Sequence, residues 1–291
     1  MSEATVMGRP PEPDWETITA EELVAFREAE NRFRASAAAR AVTGEPAPGV
    51  AIDWRQVALP GRDLPVRVYR PSAEHGANVP EGADVAEGAG LPLVVHVHGG
   101  GFVGTAPQSD WINSHVAAAL PALVVSVEHR LVAPDSPLSA AVDDGWDVLR
   151  HVVADAREWG VAPARVALLG ESCGGLISAL AAVRARDTGL DLRAQVLVNP
   201  VTDASETMFD YDSVARFSQT PTLGVPQLRL IQRLSATAGD GSPTALSPLH
   251  ADDLAGLAPA LLVIPTDDPI ADHGRRYAER LRAAGTSARL S

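Results

Sequence analysis

The sequence predicts an α/β fold with a mainly parallel central sheet and helices on both faces. Two observations support this prediction: short apolar runs alternate with helical stretches, and these runs lack the polar alternation of a half-exposed strand. Strands that are apolar throughout are buried on both faces, which is typical of parallel sheets. The 291 residues suffice for one large domain, or for a core domain with a smaller attachment.

The N-terminal part predicts a helix followed by a hairpin. A helix is expected over residues 16–42, because Thr19 and Glu22 have the spacing of a capping box and apolar residues then recur at helical intervals. A joint rich in Pro and Gly follows at residues 44–49. Alternating apolar residues around a Pro-Gly turn then predict a hairpin over residues 50–69.

Beyond a polar stretch at residues 71–90, which we expect to be an exposed loop, the sheet continues. The predicted strands are Leu91–Val97, Ala122–Val127, Arg165–Leu169, Ala194–Val198 and Ala260–Ile264. The predicted helices lie near residues 111–119, 139–157, 173–186 and 272–284. Residues 203–247 interrupt this alternation and predict an insertion over the sheet, with a helix over Pro226–Leu234.

The composition narrows the possible partners and the cellular location. The formal charge is −13 and all 24 basic residues are Arg, so the chain lacks the positive surface that nucleic acid or an anionic membrane requires. Cys173 is the only cysteine, which excludes an internal disulfide and a cysteine-based metal site. Neither a signal pattern nor an apolar run of about 20 residues is found. We therefore expect a soluble, cytoplasmic protein without nucleic-acid or membrane partners.

The strongest motif is the segment Gly170–Gly175, which reads Gly-Glu-Ser-Cys-Gly-Gly. It directly follows a predicted strand and directly precedes a predicted helix. A strand-to-helix turn this tight needs small residues on both sides of the serine and exposes the hydroxyl of Ser172 at a helix N-terminus. The alternative is a glycine-rich turn with an incidental serine, but the order of strand, turn and helix favours a nucleophile.

The second motif, His98–Phe102, contains three consecutive glycines at the end of a predicted strand. Its N–H groups can point at an oxygen that gains charge during acyl transfer, and each such donor contributes about 3–4 kcal/mol to transition-state stabilisation. A phosphate loop or a flexible turn are the alternatives. No Gly-Lys-Ser/Thr follows, which weakens the phosphate interpretation, and the serine turn downstream favours an oxyanion hole.

The third motif is Thr266–Ile270, which contains Asp267 and Asp268 just after the last complete predicted strand. A serine hydrolase needs a carboxylate to orient its histidine, and an acid at the end of a later strand is well placed for it. Taken alone, an Asp-Asp-Pro turn is more often structural.

Together, His98–Phe102, Gly170–Gly175 and Asp268–Ile270 resemble the bacterial relatives of hormone-sensitive lipase, a family of carboxylesterases with the α/β-hydrolase fold. Weaker matches run from about residue 50 to the end of the chain, and they include Arg130-Leu131, Ala133-Pro134, Ser247–Leu249, Asp253–Leu257, Tyr277-Ala278 and Ala284-Gly285. The resemblance implies residues 1–49 as N-terminal cap helices and residues 50–291 as an α/β-hydrolase core with a cap insertion around 203–247.

The resemblance also implies the site. Ser172 would be the nucleophile, Asp268 the acid of the triad, and Gly100, Gly101 and Cys173 the N–H donors of the oxyanion hole. Glu171 stands where the family commonly has Asp, and Cys173 where it has Ala. The other departures are His129 in place of Tyr and the additional Val132. The Cys173 thiol is expected to be a small buried group beside the pocket, because its contribution comes from the backbone.

The catalytic histidine is the missing part of this pattern. The resemblance places it beyond Ser291, so we expect most of the C-terminal strand and the following helix to be missing. None of the histidines in the sequence is a good substitute; His273, for example, follows Asp268 by only five residues and lies inside the next predicted helix. A shortened gene product, an incomplete form of a longer enzyme and a partner chain that completes the site remain as explanations, and we favour a shortened form of an active type of enzyme.

The sequence therefore predicts a serine hydrolase that cleaves carboxylic esters, with short acyl chains, through an acyl-enzyme at Ser172. Neither a metal nor a cofactor is implied, the substrate is a small-molecule ester, and a homo-oligomer is possible. An inactive ligand-binding protein on the same fold is the main alternative, favoured by the missing base and disfavoured by the intact serine turn. A peptidase would need a pocket for an amine terminus, which no residue specifies.

Overall fold

The computed structural model describes residues 8–72, 90–218, 224–237 and 243–291. Its eight-stranded sheet has the strand order β1-β2-β4-β3-β5-β6-β7-β8. The strands are β1 (Val50–Leu59), β2 (Arg62–Pro71), β3 (Leu91–Val97), β4 (Leu123–Val127), β5 (Val161–Glu171), β6 (Ala194–Val198), β7 (Ala260–Val263) and β8 (Ala288–Leu290). The first two pairs, β1–β2 and β2–β4, are antiparallel and the other five are parallel, so the predicted mainly parallel sheet is confirmed.

Helices cover both faces of the sheet. They are α1 (Ala20–Arg34), α2 (Ala37–Thr43), α3 (Asp110–Ala119), α4 (Leu138–Ala154), α5 (Ala156–Trp159), α6 (Cys173–Thr188), α7 (Asp212–Phe217), α8 (Val225–Thr237) and α9 (Ala271–Ala283). On one face Ala117 of α3 packs with Val94 and Val124 of the sheet. On the other face α4 and α6 belong to the main core, which includes Leu168 of β5 and Ile177 of α6.

The carboxyl ends of β3 and β5 lie side by side. Val97, the last residue of β3, is opposite Gly170 of β5 and also opposite Val127 of β4. β3 is almost wholly buried, as its apolar sequence predicts. This register brings the loop after β3 next to the turn after β5, which is where the two glycine-rich motifs of the sequence lie.

The predicted helix over residues 16–42 is wrong in one respect, because it is two helices. Thr19 caps α1 through the predicted box with Glu22. The chain leaves the helix after Arg34, and the hydroxyl of Ser36 accepts a hydrogen bond from Ala39 N–H at the start of α2. Ser36 therefore begins a new helix, as serine does at an N-cap. The helix predicted over 139–157 is similarly divided into α4 and α5.

Residues 203–218 and 224–237 form short helices over the sheet. The helix predicted over 226–234 lies within α8. Leu228 of α8 enters the main core, whereas Leu230 packs with Trp15 and Leu23 of the N-terminal segment. The predicted loop over 71–90 falls mostly outside the described residues. Among the helices that the structure describes, none is long and apolar enough to cross a membrane.

Candidate active site

Ser172 occupies a strained turn between β5 and α6. Its φ is +51° and its ψ is −115°, a region that residues with a side chain rarely adopt. The turn is fixed by its neighbours, because Ser172 N–H donates to Val198 C=O at 2.9 Å and its own C=O accepts from Val201 N–H at 3.0 Å. The predicted sharp bend at this serine is therefore present.

The glycines beside Ser172 are required by close packing. A methyl group on Gly170 would overlap the carbonyl oxygen of Gly174, and a methyl group on Gly174 would overlap the carbonyl oxygens of Val97 and His98. Since both obstacles are backbone atoms, they cannot rotate away. The small residues on either side of the serine are what allow α6 to begin against the end of β3.

The glycine loop after β3 faces this turn. A methyl group on Gly99 would lie 3.2 Å from Cβ of Ser172 and 2.8 Å from the carbonyl oxygen of Glu171. Gly100 and Gly101 have φ of +94° and +61°, conformations that favour glycine. The loop and the serine are therefore adjacent, which is the arrangement that an oxyanion hole needs.

Cys173 packs against the same loop and is only 2% exposed. Burial raises the pKa of its thiol, although backbone N–H groups of Phe102 and Gly101 act in the opposite direction. The thiol is thus a small buried group beside the pocket, where the sequence places it. Its backbone N–H belongs to the first turn of α6, where N–H groups have no partner within the helix.

Asp268 lines a cavity of about 220 Å3 together with Ser172, Gly100 and Gly101. Its side chain is 7% exposed, and Oδ1 accepts a hydrogen bond from Ile270 N–H at 2.9 Å. The neighbouring Asp267 is exposed. The structure therefore brings the predicted acid, the predicted nucleophile and the glycine loop to one cavity.

A second, smaller pocket also adjoins Ser172. Its volume is about 20 Å3, and it is lined mainly by apolar side chains. They include Phe102, Leu138, Leu176, Val201, Met208, Leu228 and Ile231. Space of this size holds about one or two water-sized groups. Ser172 and Gly101 lie at the boundary of the two chambers, because they line both.

Charged side chains from the N-terminal segment surround the larger cavity. Arg34 Nε donates to Glu30 at 3.0 Å, and Arg9 Nε donates to the same carboxylate at 3.4 Å. Arg34 Nη1 also donates to Gln108 Oε1, and Gln108 Nε2 donates to Gly99 C=O at 3.0 Å. This segment therefore holds the glycine loop from outside through a chain of polar contacts.

The histidines that the structure describes all have contacts away from Ser172 and Asp268. His273, for example, lies 3.0 Å from the carbonyl oxygen of Met208 through Nε2, and burial lowers its pKa. The rings of His96, His98, His115, His129, His151 and His250 contact other groups. His75 lies outside the described residues. Among the described residues, then, no imidazole bonds to the predicted nucleophile or acid.

Two side chains in the cavity were not anticipated from the sequence. Asn199 follows β6 with a φ of +44°, and its buried Oδ1 has no hydrogen-bond partner in the described part of the chain. Gln227 of α8 lies against Gly101, because a methyl group there would be 2.5 Å from Nε2. The position of Asn199 directly after a parallel strand is a signal that could have identified it, whereas Gln227 has none.

Comparison with known proteins supports the fold described above. A family model of the alpha/beta hydrolase fold matches residues 94–291. The carboxylesterase NlhH of Mycobacterium tuberculosis is 37% identical over 249 residues, which are 84% of this chain and 73% of NlhH. Ethyl acetate hydrolase of Pseudomonas putida is 31% identical over 91% of this chain and 79% of its own length. The solved esterase of Pyrobaculum calidifontis, in its monoclinic form, superposes with a TM-score of 0.78 at 28% identity, over 98% of this chain and 86% of the esterase.

The resemblance to bacterial carboxylesterases related to hormone-sensitive lipase is thereby confirmed, and so is the predicted fold. The matched family model covers the region that holds the serine turn, the glycine loop and Asp268. This chain belongs to the α/β-hydrolase family, in the branch of its serine carboxylesterases.

Proposed function

We propose that this chain hydrolyses small carboxylic esters at Ser172. The observation that carries the proposal is the strained turn that holds Ser172 against the glycine loop, with Asp268 in the same cavity. A ligand-binding protein has no need of a serine with φ of +51°. Strain at a nucleophile that faces backbone donors is instead characteristic of acyl transfer.

In the proposed reaction Ser172 Oγ attacks the ester carbonyl and its proton passes to an imidazole base. The oxygen of the tetrahedral intermediate, now negative, accepts hydrogen bonds from the N–H groups of Gly100, Gly101 and Cys173. The C–O bond to the alcohol then breaks, and the alcohol takes the proton from the imidazolium. Water repeats the sequence on the acyl-enzyme and releases the carboxylic acid. Asp268 would orient the imidazole and stabilise its charge.

The imidazole of this mechanism is proposed to come from outside the described residues. The seven histidines that the structure describes have contacts elsewhere, so none of them is the candidate. The sources that the sequence resemblance leaves open are a longer form of the chain and a partner chain. Loss of the histidine from such a site costs on the order of a millionfold in turnover, so the source decides the activity of the chain.

The two chambers support a substrate with a short acyl chain. The apolar pocket beside Ser172 holds about one or two water-sized groups, which suits an acetyl or propionyl group. The larger, polar cavity would accept the alcohol. We propose that residues 1–49 and 203–247 act as the cap over both chambers, since Trp15, Leu23 and Leu230 pack together above the glycine loop. We also propose a cytoplasmic location, which the single cysteine supports.

Chemical rescue tests the proposal on the chain as it exists. Hydrolysis of p-nitrophenyl acetate is measured with and without added imidazole, for the wild type and for Ser172→Ala. Imidazole hydrolyses this ester alone, so the Ser172→Ala protein supplies the baseline. We expect a rate above this baseline that depends on Ser172, at least when imidazole is present.

Ser178→Ala is the matched control, because Ser178 is a buried serine of α6, the helix that Ser172 precedes, and its hydroxyl has no partner among the described residues. It should keep the wild-type rate. A fluorophosphonate probe should label Ser172 under the same conditions. Equal rates for wild type and Ser172→Ala, with and without imidazole, would exclude the esterase proposal.

The second candidate is a ligand-binding protein that retains the pocket without turnover. This candidate is favoured by the contacts of the described histidines, all of which are with groups other than Ser172. In that case short esters and alcohols would bind wild type and Ser172→Ala equally, and no imidazole concentration would produce a serine-dependent rate.

A further inference from the structure

Glu171, the residue before Ser172, forms a partly buried pair with His96 of β3. His96 is fully buried, and its Nε2 lies 3.5 Å from Oε1 of Glu171. The Glu171 side chain keeps 26% of its exposure and also accepts a hydrogen bond from the hydroxyl of Ser109 at 3.4 Å. The pair therefore connects the serine turn with the strand that leads to the glycine loop.

The contacts of the other ring nitrogen determine where His96 carries its proton. Nδ1 lies 3.0 Å from Nδ2 of Asn113 and 2.8 Å from Oγ of Ser126, and both of these residues are fully buried. An amide NH2 group can only donate, so Nδ1 must be an acceptor. The proton of the neutral ring is then on Nε2, the atom that faces Glu171.

The Glu171 carboxylate thus accepts a hydrogen bond from Ser109 and faces Nε2 of His96 at 3.5 Å. Burial raises its pKa, but the nearby polar groups of His96, Ser109 and the Gly99 backbone outweigh burial and leave the pKa below its usual value. The glycine loop packs directly on the same residue, because a methyl group on Gly99 would lie 2.8 Å from the backbone carbonyl oxygen of Glu171.

Such a polar pair is a poor source of stability, because well-packed apolar side chains would serve a core at least as well. What directional bonds provide is a fixed distance and angle between the elements that they join. At this point those elements are the turn of Ser172 and the start of the glycine loop, whose relative position decides whether the loop donors meet the carbonyl oxygen.

We propose that Glu171, oriented by His96, is a positioning residue that sets the glycine loop against Ser172. This inference rests on the proposed esterase function. Neither side chain touches the cavity that holds Ser172 and Asp268, so the pair acts through Gly99 and not on the substrate.

The experiment compares Glu171→Gln, His96→Leu and the control Glu158→Gln, which changes an exposed glutamate of α5. The amide introduced by Glu171→Gln keeps the volume but can place an NH2 group where Ser109 Oγ and His96 Nε2 face the carboxylate. In the serine-dependent, imidazole-assisted assay, Glu171→Gln and His96→Leu should lower kcat by about tenfold to a hundredfold, with KM within about twofold. Glu158→Gln should change neither quantity.

A measurement that needs no turnover decides the inference separately. In protein labelled with 15N-glycine and 15N-histidine, Glu171→Gln should shift the amide resonances of Gly99, Gly100 and Gly101, and wild-type His96 should show its proton on Nε2. If the wild type lacks a serine-dependent rate, the esterase proposal fails while these resonances still test the pair. Unshifted loop amides in folded Glu171→Gln protein, an unchanged kcat, or a proton on Nδ1 of His96 would overturn the inference.

Discussion

The imidazole rings of His98 and His129 stack with their centroids 4.2 Å apart and their planes inclined by 16°. Both rings are buried, at the base of the glycine loop. Burial lowers the pKa of His98 well below its usual value, and the adjacent His129 lowers it further. Burial also lowers the pKa of His129. The folded protein therefore keeps both rings neutral, although histidine in an unfolded chain gains a proton below about pH 6.5.

This pair predicts a specific effect of pH on the variant His129→Phe. Because the folded pKa is lowered, the contribution of His129 to stability is complete above about pH 6.5 and is lost as the pH falls. Phenylalanine keeps an aromatic ring beside Phe102 and does not titrate. As the pH falls from about 7.5 to about 5.5, the free energy of unfolding of the variant should rise relative to wild type. Urea unfolding at several pH values measures this difference, and a difference independent of pH would contradict it.

Glu128, the neighbour of His129, is predicted to affect the pH dependence of stability in the opposite direction. Burial raises the pKa of its carboxyl to about 7. A raised acid pKa stabilises the fold fully below the unfolded value and loses this contribution as the pH rises through about 7. Relative to Glu128→Gln, the wild type should therefore become less stable from about pH 5 to about pH 8. Because His129 and Glu128 change the stability in opposite directions with pH, a plot of wild-type stability against pH cannot separate their contributions. If the stability of the wild type relative to His129→Phe and its stability relative to Glu128→Gln both changed in the same direction with pH, at least one of the two pKa directions would be wrong.

The small apolar pocket predicts a change of acyl preference in Leu228→Ala. Leu228 lies on α8, is 2% exposed and lines the pocket beside Ser172. Removal of its side chain makes room for a longer acyl chain, and each accommodated methylene is worth about tenfold or more in specificity. The serine-dependent kcat/KM for p-nitrophenyl butyrate relative to acetate should rise by at least that factor.

Leu230→Ala is the matched control for this prediction. Leu230 is a buried leucine of the same helix, but it packs with Trp15 and Leu23 and does not line the small pocket. It should lose comparable stability without a shift in chain-length preference. An equal shift in both variants would mean that α8 as a whole, and not the pocket, controls acyl length.

The environment of Cys173 predicts an unreactive thiol. Since the thiolate is the reactive form, a buried sulfur with a raised pKa reacts slowly with alkylating reagents. Folded protein at about pH 7.5 should resist iodoacetamide, whereas urea-unfolded protein should be alkylated at the rate of an ordinary thiol. Mass spectrometry at timed intervals measures both rates. Rapid alkylation of the folded protein would contradict the burial of this side chain beside the glycine loop.

Local sequence patterns were sufficient to predict most of the strands and helices and the turn at Ser172. The capping box at Thr19 and the glycines around Ser172 express constraints between near neighbours, which a single sequence can show. The break at Ser36 was missed because apolar spacing continues through it. The approach of Arg34 to the glycine loop and the pairing of His96 with Glu171 depend on how distant segments pack, and no periodicity contains this information.

A buried carboxylate outside the candidate site organises one wall of the small pocket. Asp203 has no exposed surface and accepts hydrogen bonds from the hydroxyl groups of Ser205, Thr207 and Tyr211 at 2.6–2.7 Å. His250 Nε2 lies 3.2 Å from its Oδ2. These contacts fix the segment that includes Ala204 and Met208, both of which line the pocket. Although burial alone raises the pKa of Asp203, the hydroxyl donors outweigh it and leave the pKa far below its usual value.

Asp203→Asn should therefore destabilise the fold by about 3 kcal/mol at about pH 7, because an amide cannot accept from all these donors and its own NH2 group would face them. Since the folded pKa is lowered, the wild-type advantage is complete above the unfolded pKa of about 4 and must shrink as the pH falls below it. Urea unfolding between about pH 7 and about pH 3 measures the difference. The exposed Asp191→Asn provides the control, with no expected change. A penalty that stays constant throughout this acid range would show that Asp203 acts through packing, and that its charge does not hold the pocket wall in place.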